Sequence, residues 1–241
     1  MGLADIRKKS KQKPPRIIVH GGPAVGKTHL ASQTKNPILL DVEDGLGKIE
    51  MDNIRCKSYE DVMVNLHELA TEEHDYKTVC IDSLDWLENL LWEKACQDNG
   101  WKSIDQPSFG KGYTETLNYW RKYIDALNVL REKGMMIFQI CHSEVRKVED
   151  PRIEPYDRYS LKLHRKASAL LLEHSDACFF AAKKLGTIKV QGKSGGMTTK
   201  TVSGDRIIYT NEEPAFLAKN RYNLPDEIPM DWKIIREEML K

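Results

Sequence analysis

Residues Gly21, Gly22, Pro23, Ala24, Val25, Gly26, Lys27 and Thr28 spell G-x-x-x-x-G-K-[ST]. A loop of this kind wraps its backbone N–H groups around the α- and β-phosphates of a nucleoside triphosphate. Lys27 would reach the β- and γ-phosphates, and the Thr28 hydroxyl would ligate Mg2+. His29 follows at the start of the adjoining helix and is counted with the nucleotide-binding residues. Downstream, Thr78 to Asp82 is an apolar run ending in an acid. Paired with the loop, Asp82 reads as a second magnesium ligand. Hydrolysis also needs a group that orients or deprotonates the attacking water. Glu43, just past the run Pro37 to Val42, is the choice, with Asp41 and Asp44 as close competitors. His142, at the end of the run Met135 to Cys141, is placed to sense the γ-phosphate. Gln139 is a weaker choice because it lies inside the run.

The elements that must position these groups alternate between strand and helix, which predicts a parallel sheet covered by helices. Arg16 to His20 reads as the strand before the loop, and Thr28 to Gln33 as the helix after it. Tyr59 to Thr71 is predicted as a helix, with Val62, Leu66, Leu69 and Ala70 on one face. Trp86 to Gln97 and Thr114 to Lys133 are two more, the latter stopped by Gly134. Trp86, Trp92 and Trp120 fall at helical spacing and read as packing. His142 to Tyr159 is polar, charged and carries two prolines, so it is expected as a long loop. Leu161 to His174 reads as a helix and Asp176 to Ala182 as a fifth strand. Thr187 to Val190, Thr198 to Val202 and Arg206 to Thr210 suggest a small antiparallel set. Asp231 is positioned to cap a last helix, Trp232 to Leu240.

With 241 residues and a net charge of +1, the chain fits one large α/β domain. Residues 1–15 read as a basic flexible tail carrying Arg7, Lys8, Lys9, Lys11 and Lys13, and residues 16–241 as the domain. No apolar run has transmembrane length. The five cysteines, Cys56, Cys80, Cys96, Cys141 and Cys178, form no C-x-x-C pair, so they read as free thiols rather than a zinc site.

The order of parts resembles the RecA-like recombinase ATPases. The residues that carry this likeness are Gly21 to Thr28, Glu43, Asp82-Ser83, Gln139 to His142 and Lys219-Asn220-Arg221. Asp41 to Gly45 and Ala218 to Arg221 make the chain similar to phage-encoded, core-only RecA relatives that act as single-strand annealing proteins. The resemblance covers roughly Arg16 to Pro229. It implies an α/β RecA-like P-loop core with a small antiparallel extension near the C-terminus. It also implies a Mg2+-dependent ATPase, stimulated by DNA, that binds single-stranded DNA and promotes annealing or recombination. Glu43 then corresponds to the catalytic glutamate, Asp82 to the magnesium aspartate and His142 to the γ-phosphate sensor. Lys219 and Arg221 correspond to cations inserted into a neighbouring subunit's nucleotide site, so the protein would act as a ring or filament.

The likeness directs attention to two segments as a DNA surface. One carries Trp101, Lys102, Phe109 and Lys111. The other carries Arg146, Lys147, Arg152, Arg158 and Lys162. Aromatics interleaved with cations suit single strands. Neither a separate N-terminal oligomerisation domain nor a C-terminal DNA-gating domain is recognisable, which favours annealing over full strand exchange. Partners implied are single-stranded DNA, further copies of the chain and a single-strand DNA-binding protein, with no membrane. The expected location is the cytoplasm, that of the host if the chain is phage-encoded. Two other readings stay open: a P-loop kinase of a small molecule, and a nucleotide-gated module that recruits a replication partner. An AAA-type motor is disfavoured because no helical lid follows the fifth strand.

Overall fold

A computed structural model describes residues 13–191 and 197–241. Residues 1–12 of the expected basic tail lie outside it. Six parallel strands form the frame: β1 (Arg16–Gly21), β2 (Pro37–Asp41), β3 (Asp52–Arg55), β4 (Thr78–Asp82), β5 (Met136–Val148) and β7 (Ala177–Gln191). They run in the order β3-β2-β4-β5-β1-β7. β8 (Met197–Tyr209) and β10 (Glu227–Pro229) continue the sheet antiparallel at the β7 edge. β6 (Tyr156–Leu161) pairs with β5, and the short β9 (Lys219–Asn220) pairs with β7. The result is a mostly parallel sheet flanked by helices, as the alternation of elements predicts, and with its antiparallel strands near the C-terminus it is consistent with the P-loop core that the resemblance implies.

Both faces of the sheet are covered, which is why its strands are apolar runs rather than alternating ones. Ile18, Leu40, Ile81 and Ile137 face one core, shared with α2 (Tyr59–Thr71), α3 (Leu84–Asn99), α4 (Lys111–Glu132) and α5 (Arg165–His174). Ile17, Val19, Leu39, Cys80 and Phe138 face the other, with α1 (Lys27–Ser32) and α6 (Trp232–Met239). Caps fix two helix starts at their expected places. Ser58 and Asp61 form a reciprocal capping box on α2. The Asp231 carboxylate accepts from the Lys233 and Ile234 amides at α6. All five cysteines are free, and four are buried. Among the described residues, no helix is long and apolar enough to cross a membrane.

Leu161 ends β6 and α5 begins only at Arg165, and β7 runs past Ala182 to Gln191, so Thr187 to Val190 is no separate strand. Three further expectations need correction. His142 to Tyr159 is not a long loop. β5 runs on to Val148 and pairs with β6 as an antiparallel ribbon, from Ser143↔Leu161 to Val148↔Tyr156. Its strands carry charged side chains on both faces, so no apolar alternation marks them. α4 begins at Lys111 rather than Thr114, after Gly110 in the left-handed region (φ 65°). Trp86 is not core packing, since it is 46% exposed. The buried face of α3 is instead Leu84, Asp85, Leu87, Glu88, Leu91 and Ala95. Two acids occupy inward positions, which displaces the apolar stripe and turns Trp86 outward.

Candidate nucleotide site

β1, β2 and β4 end at one edge of the sheet, where β5 leaves it to enter the ribbon, and the residues singled out above collect there. Gly21 closes β1 so tightly against β7 that a Cβ would run into the Ala181 carbonyl oxygen. Ala24 (φ 56°) and Gly26 (φ 107°) then turn the loop through left-handed backbone. At Gly26 a Cβ would also meet the Arg206 guanidinium of β8, at 2.8 Å. Arg206 is a loop-side cation with no counterpart in the sequence motifs.

Pro23, Ala24, Gly26, Lys27, Thr28, His29, Glu43, Asp82 and His142 all line one cleft of about 360 Å³. Lys27 lies across the loop and donates to the carbonyls of Gly21 (3.1 Å) and Gly22 (2.9 Å). Burial lowers its pKa, and the nearby charges of Asp82, Glu43 and Asp85 oppose that shift. Thr28 donates from Oγ1 to Asp82 Oδ2 at 2.6 Å. Asp82 is 6% exposed. Burial first, and then the Glu43 carboxylate, push its pKa up to about 6 against the Thr28 hydrogen bond.

β2 and β4 are tied where they end. The Asp82 carbonyl accepts from the Val42 and Glu43 amides at 2.8 and 3.1 Å. The Ser83 hydroxyl donates to Glu43 Oε2 at 3.0 Å. This separates Glu43 from its competitors. The Asp41 carboxylate is taken up by the Asp44 amide (2.8 Å) and by Arg55 (3.3 Å), and Asp44 is exposed in the left-handed region. Gln139 is fully buried, and its Oε1 accepts from Tyr123.

A carboxylate that was not foreseen stands behind His142. Asp85, one helical turn beyond Asp82, receives the His142 amide on Oδ1 (3.0 Å) and the His142 Nδ1–H on Oδ2 (3.0 Å). The other ring nitrogen, Nε2, points toward Glu43, with Oε1 3.8 Å away. Burial opposes the Asp85 charge, but the two His142 hydrogen bonds outweigh it and hold the carboxyl at about 2. In return, the bond to Asp85 raises the His142 pKa. Glu88, one turn further along, accepts the His164 amide on both oxygens (2.8 and 3.1 Å). α3 therefore grips both feet of the ribbon, His142 at its start and His164 after its end.

His20 is a further residue without a motif. It is fully buried and its Nε2–H donates to the Leu217 carbonyl at 2.7 Å, while Nδ1 accepts from Ser143 at 2.9 Å. Burial pushes its pKa down to about 4, so it stays neutral and acts as a strut. Its sequence signal is a histidine inside an apolar strand.

Lys219 and Arg221 lie away from the cleft. Lys219 pairs in register with Cys178, which pairs with Ile18, three residues before Gly21. That is on the order of 10 Å back along the strands. Its ammonium donates to the carbonyls of Leu172, Glu173 and Ser175 at the end of α5. Arg221 is exposed and lies 3.5 Å from Asp176, which also binds Arg16 and Arg131. Neither cation reaches its own subunit's cleft.

Of the two aromatic-basic segments, Phe109, Lys102 and Lys111 are exposed, whereas Trp101 packs partly buried against the main core. On the ribbon, Arg146 pairs with Glu144, Arg158 with Glu212 and Arg152 with Asp150. Lys147 is exposed, and Lys162 lies 3.7 Å from Asp85.

The oxygen donors suit magnesium, which takes one or two protein ligands and completes its shell with phosphates and water. Thr28 and Asp82 would hold it, and Glu43 is a second carboxylate lining the same cleft. Among the described residues, no group of three or more His, Cys, Asp or Glu could cage a metal without phosphate.

Residues 13–222 match a family model described as an AAA domain, which covers most of the chain. No curated protein matches it. The match overturns the argument against an AAA-type chain. Beyond β7 the described elements are strands and α6, with no helical lid, so a lid does not discriminate here.

Proposed function

We propose that this chain, which belongs to the AAA domain family, is a Mg2+-dependent ATPase that assembles on single-stranded DNA and promotes annealing or recombination. The P-loop ATPase class follows from the family. The observation that supports hydrolysis is the convergence of Lys27, Thr28, Glu43, Asp82 and His142 on one cleft. Lys27 binds the β- and γ-phosphates once it leaves the loop carbonyls. Thr28 and Asp82 would hold magnesium, which would supply positive charge to offset that of the phosphates. Glu43, oriented by Ser83, accepts a proton from the attacking water. His142, fixed by Asp85, donates from Nε2 toward the γ-phosphate.

Assembly is supported by the position of Lys219 and Arg221, which are too far from their own cleft to serve it. A nucleotide role for either cation would then be on a neighbouring subunit's nucleotide, in a head-to-tail ring or filament. DNA binding rests on the exposed Phe109 with Lys102 and Lys111, and on Lys147 of the ribbon. A small-molecule kinase is less well supported, because the ribbon arginines that could close over phosphates, Arg146, Arg152 and Arg158, are paired with acids. The test is ATP turnover with and without single-stranded DNA, together with DNA binding at low salt. Turnover without any DNA binding would remove the recombination reading and leave the ATPase.

A further inference from the structure

At the edge of the sheet opposite the phosphate loop, α6 leaves a cavity of about 420 Å³ against the starts of β1, β4 and β5. Its walls are Pro14, Pro15, Met136, Tyr222, Trp232 and Met239. Leu240 stands at its rim, 68% exposed. The charged residues that line it are all cations: Lys13, Lys35, Lys77 and Arg236. Lys13 pairs with Glu132. The other three are exposed and have no acidic partner among the described residues. Glu72, Glu73 and Asp75 line a separate polar hollow on the other side of Lys77. α6 supplies much of the cavity and lies beyond the family match, which ends at residue 222.

We propose that this cavity docks an acidic segment of a partner protein, with one aromatic or aliphatic side chain seated between Trp232 and Met136. An apolar hollow ringed by unpaired cations is complementary to that combination: burial of the apolar group supplies affinity, and the charges steer and orient the segment. The chain's own arm is a poor occupant, because Lys8, Lys9 and Lys11 directly precede the site and would be repelled by the ring. Single-stranded DNA also fits poorly. Trp232 packs T-shaped against Phe138 (5.9 Å, 77°) and is 6% exposed, so the little ring surface it gives the cavity suits contact with one side chain rather than the stacking of successive bases.

The test is fluorescence anisotropy with the full chain and a labelled octapeptide of six Asp/Glu residues followed by Phe-Leu. Saturable binding is expected, weakened at least about tenfold by the double substitution Lys77→Glu, Arg236→Glu, and as much by Ser-Ser in place of Phe-Leu. The thermal melt of the double variant should match that of the parent, since both side chains are exposed, and this reports that it folds. Absence of saturable binding up to about 1 mM peptide overturns the proposal. So does equal binding by the double variant, or displacement of the peptide by oligo-dT. None of these readouts depends on the ATPase or DNA reading.

Discussion

His142 and Asp85 meet through two separate hydrogen bonds, ring Nδ1 to Oδ2 and backbone amide to Oδ1, both 3.0 Å. A carboxylate that holds both the ring and the main chain of one histidine leaves that ring a single orientation. Nε2 is thereby aimed at the cleft, and the added negative charge favours the imidazolium.

Asp85→Asn should therefore alter the pH dependence of turnover as well as its size. The His142 pKa is raised in the folded chain. Its charge, and the stability that charge contributes, are fully present below the unfolded value and are lost as pH rises through the folded one. In the asparagine variant the alkaline limb of kcat should move to lower pH, with kcat down about tenfold or more. Adding His142→Gln should cost little further, because the pair acts as a unit. An unmoved alkaline limb would count against this role.

Glu43→Gln should lower kcat by about 100-fold or more while ATP binding, read by equilibrium titration, stays within a few-fold of the parent. Asp41→Asn and Asp44→Asn, changed in residues that do not line the cleft, should leave kcat within a few-fold.

Asp82→Asn should stabilise the apoprotein while abolishing magnesium-dependent nucleotide binding. The Asp82 pKa is raised from 3.8 to about 6. A raised carboxyl pKa means that stability is highest with the proton bound, and is lost as pH climbs from about 4 through about 6. At pH 7.5 the ionised carboxylate costs at most about 3 kcal/mol. Its removal should raise Tm by several degrees for a chain of this size, about 2–4 °C per kcal/mol. The gain should vanish near pH 4, where the parent Asp82 is itself protonated. Thermal melts at the two pH values check this.

Arg221→Ala and Glu43→Gln should each inactivate a homogeneous assembly, yet mixing them should restore turnover. If the cation acts in trans, about a quarter of the interfaces in an equal mixture pair an intact Arg221 with an intact Glu43. No recovery on mixing would remove the trans role of Arg221.

The phosphate loop, the strand Thr78–Asp82 and the helix Tyr59–Thr71 could be read from sequence because each is dictated locally, by a glycine pattern, an apolar run and a helical stripe. The Asp231 cap was legible for the same reason. The ribbon was not, because its charged faces lack any periodic apolar signal and its pairing is set by the strand that β5 prolongs. Asp85 was missed for a related cause. An acid three residues after Asp82 looks solvated in sequence, and only its place on the buried face of α3 leaves it 7% exposed. Its signal is the spacing Asp82-x-x-Asp85 at the start of a helix. Glu43 could be preferred to Asp41 but not separated from it, since that depends on the pairing of β2 with β3, which brings Arg55 beside Asp41.

Asp176 lies 10% exposed between Arg16 and Arg131, and burial against those two guanidinium groups still leaves its carboxyl below the usual range. Arg221 is a third, looser neighbour. Two cations are enough to keep that buried carboxylate compensated, so Arg221 can swing out to another molecule without leaving an orphan charge behind. Subunit contacts built on such a spare arginine would form and dissolve without unsettling either fold. An assembly of this type could lengthen or shed members at its ends while each member stayed intact.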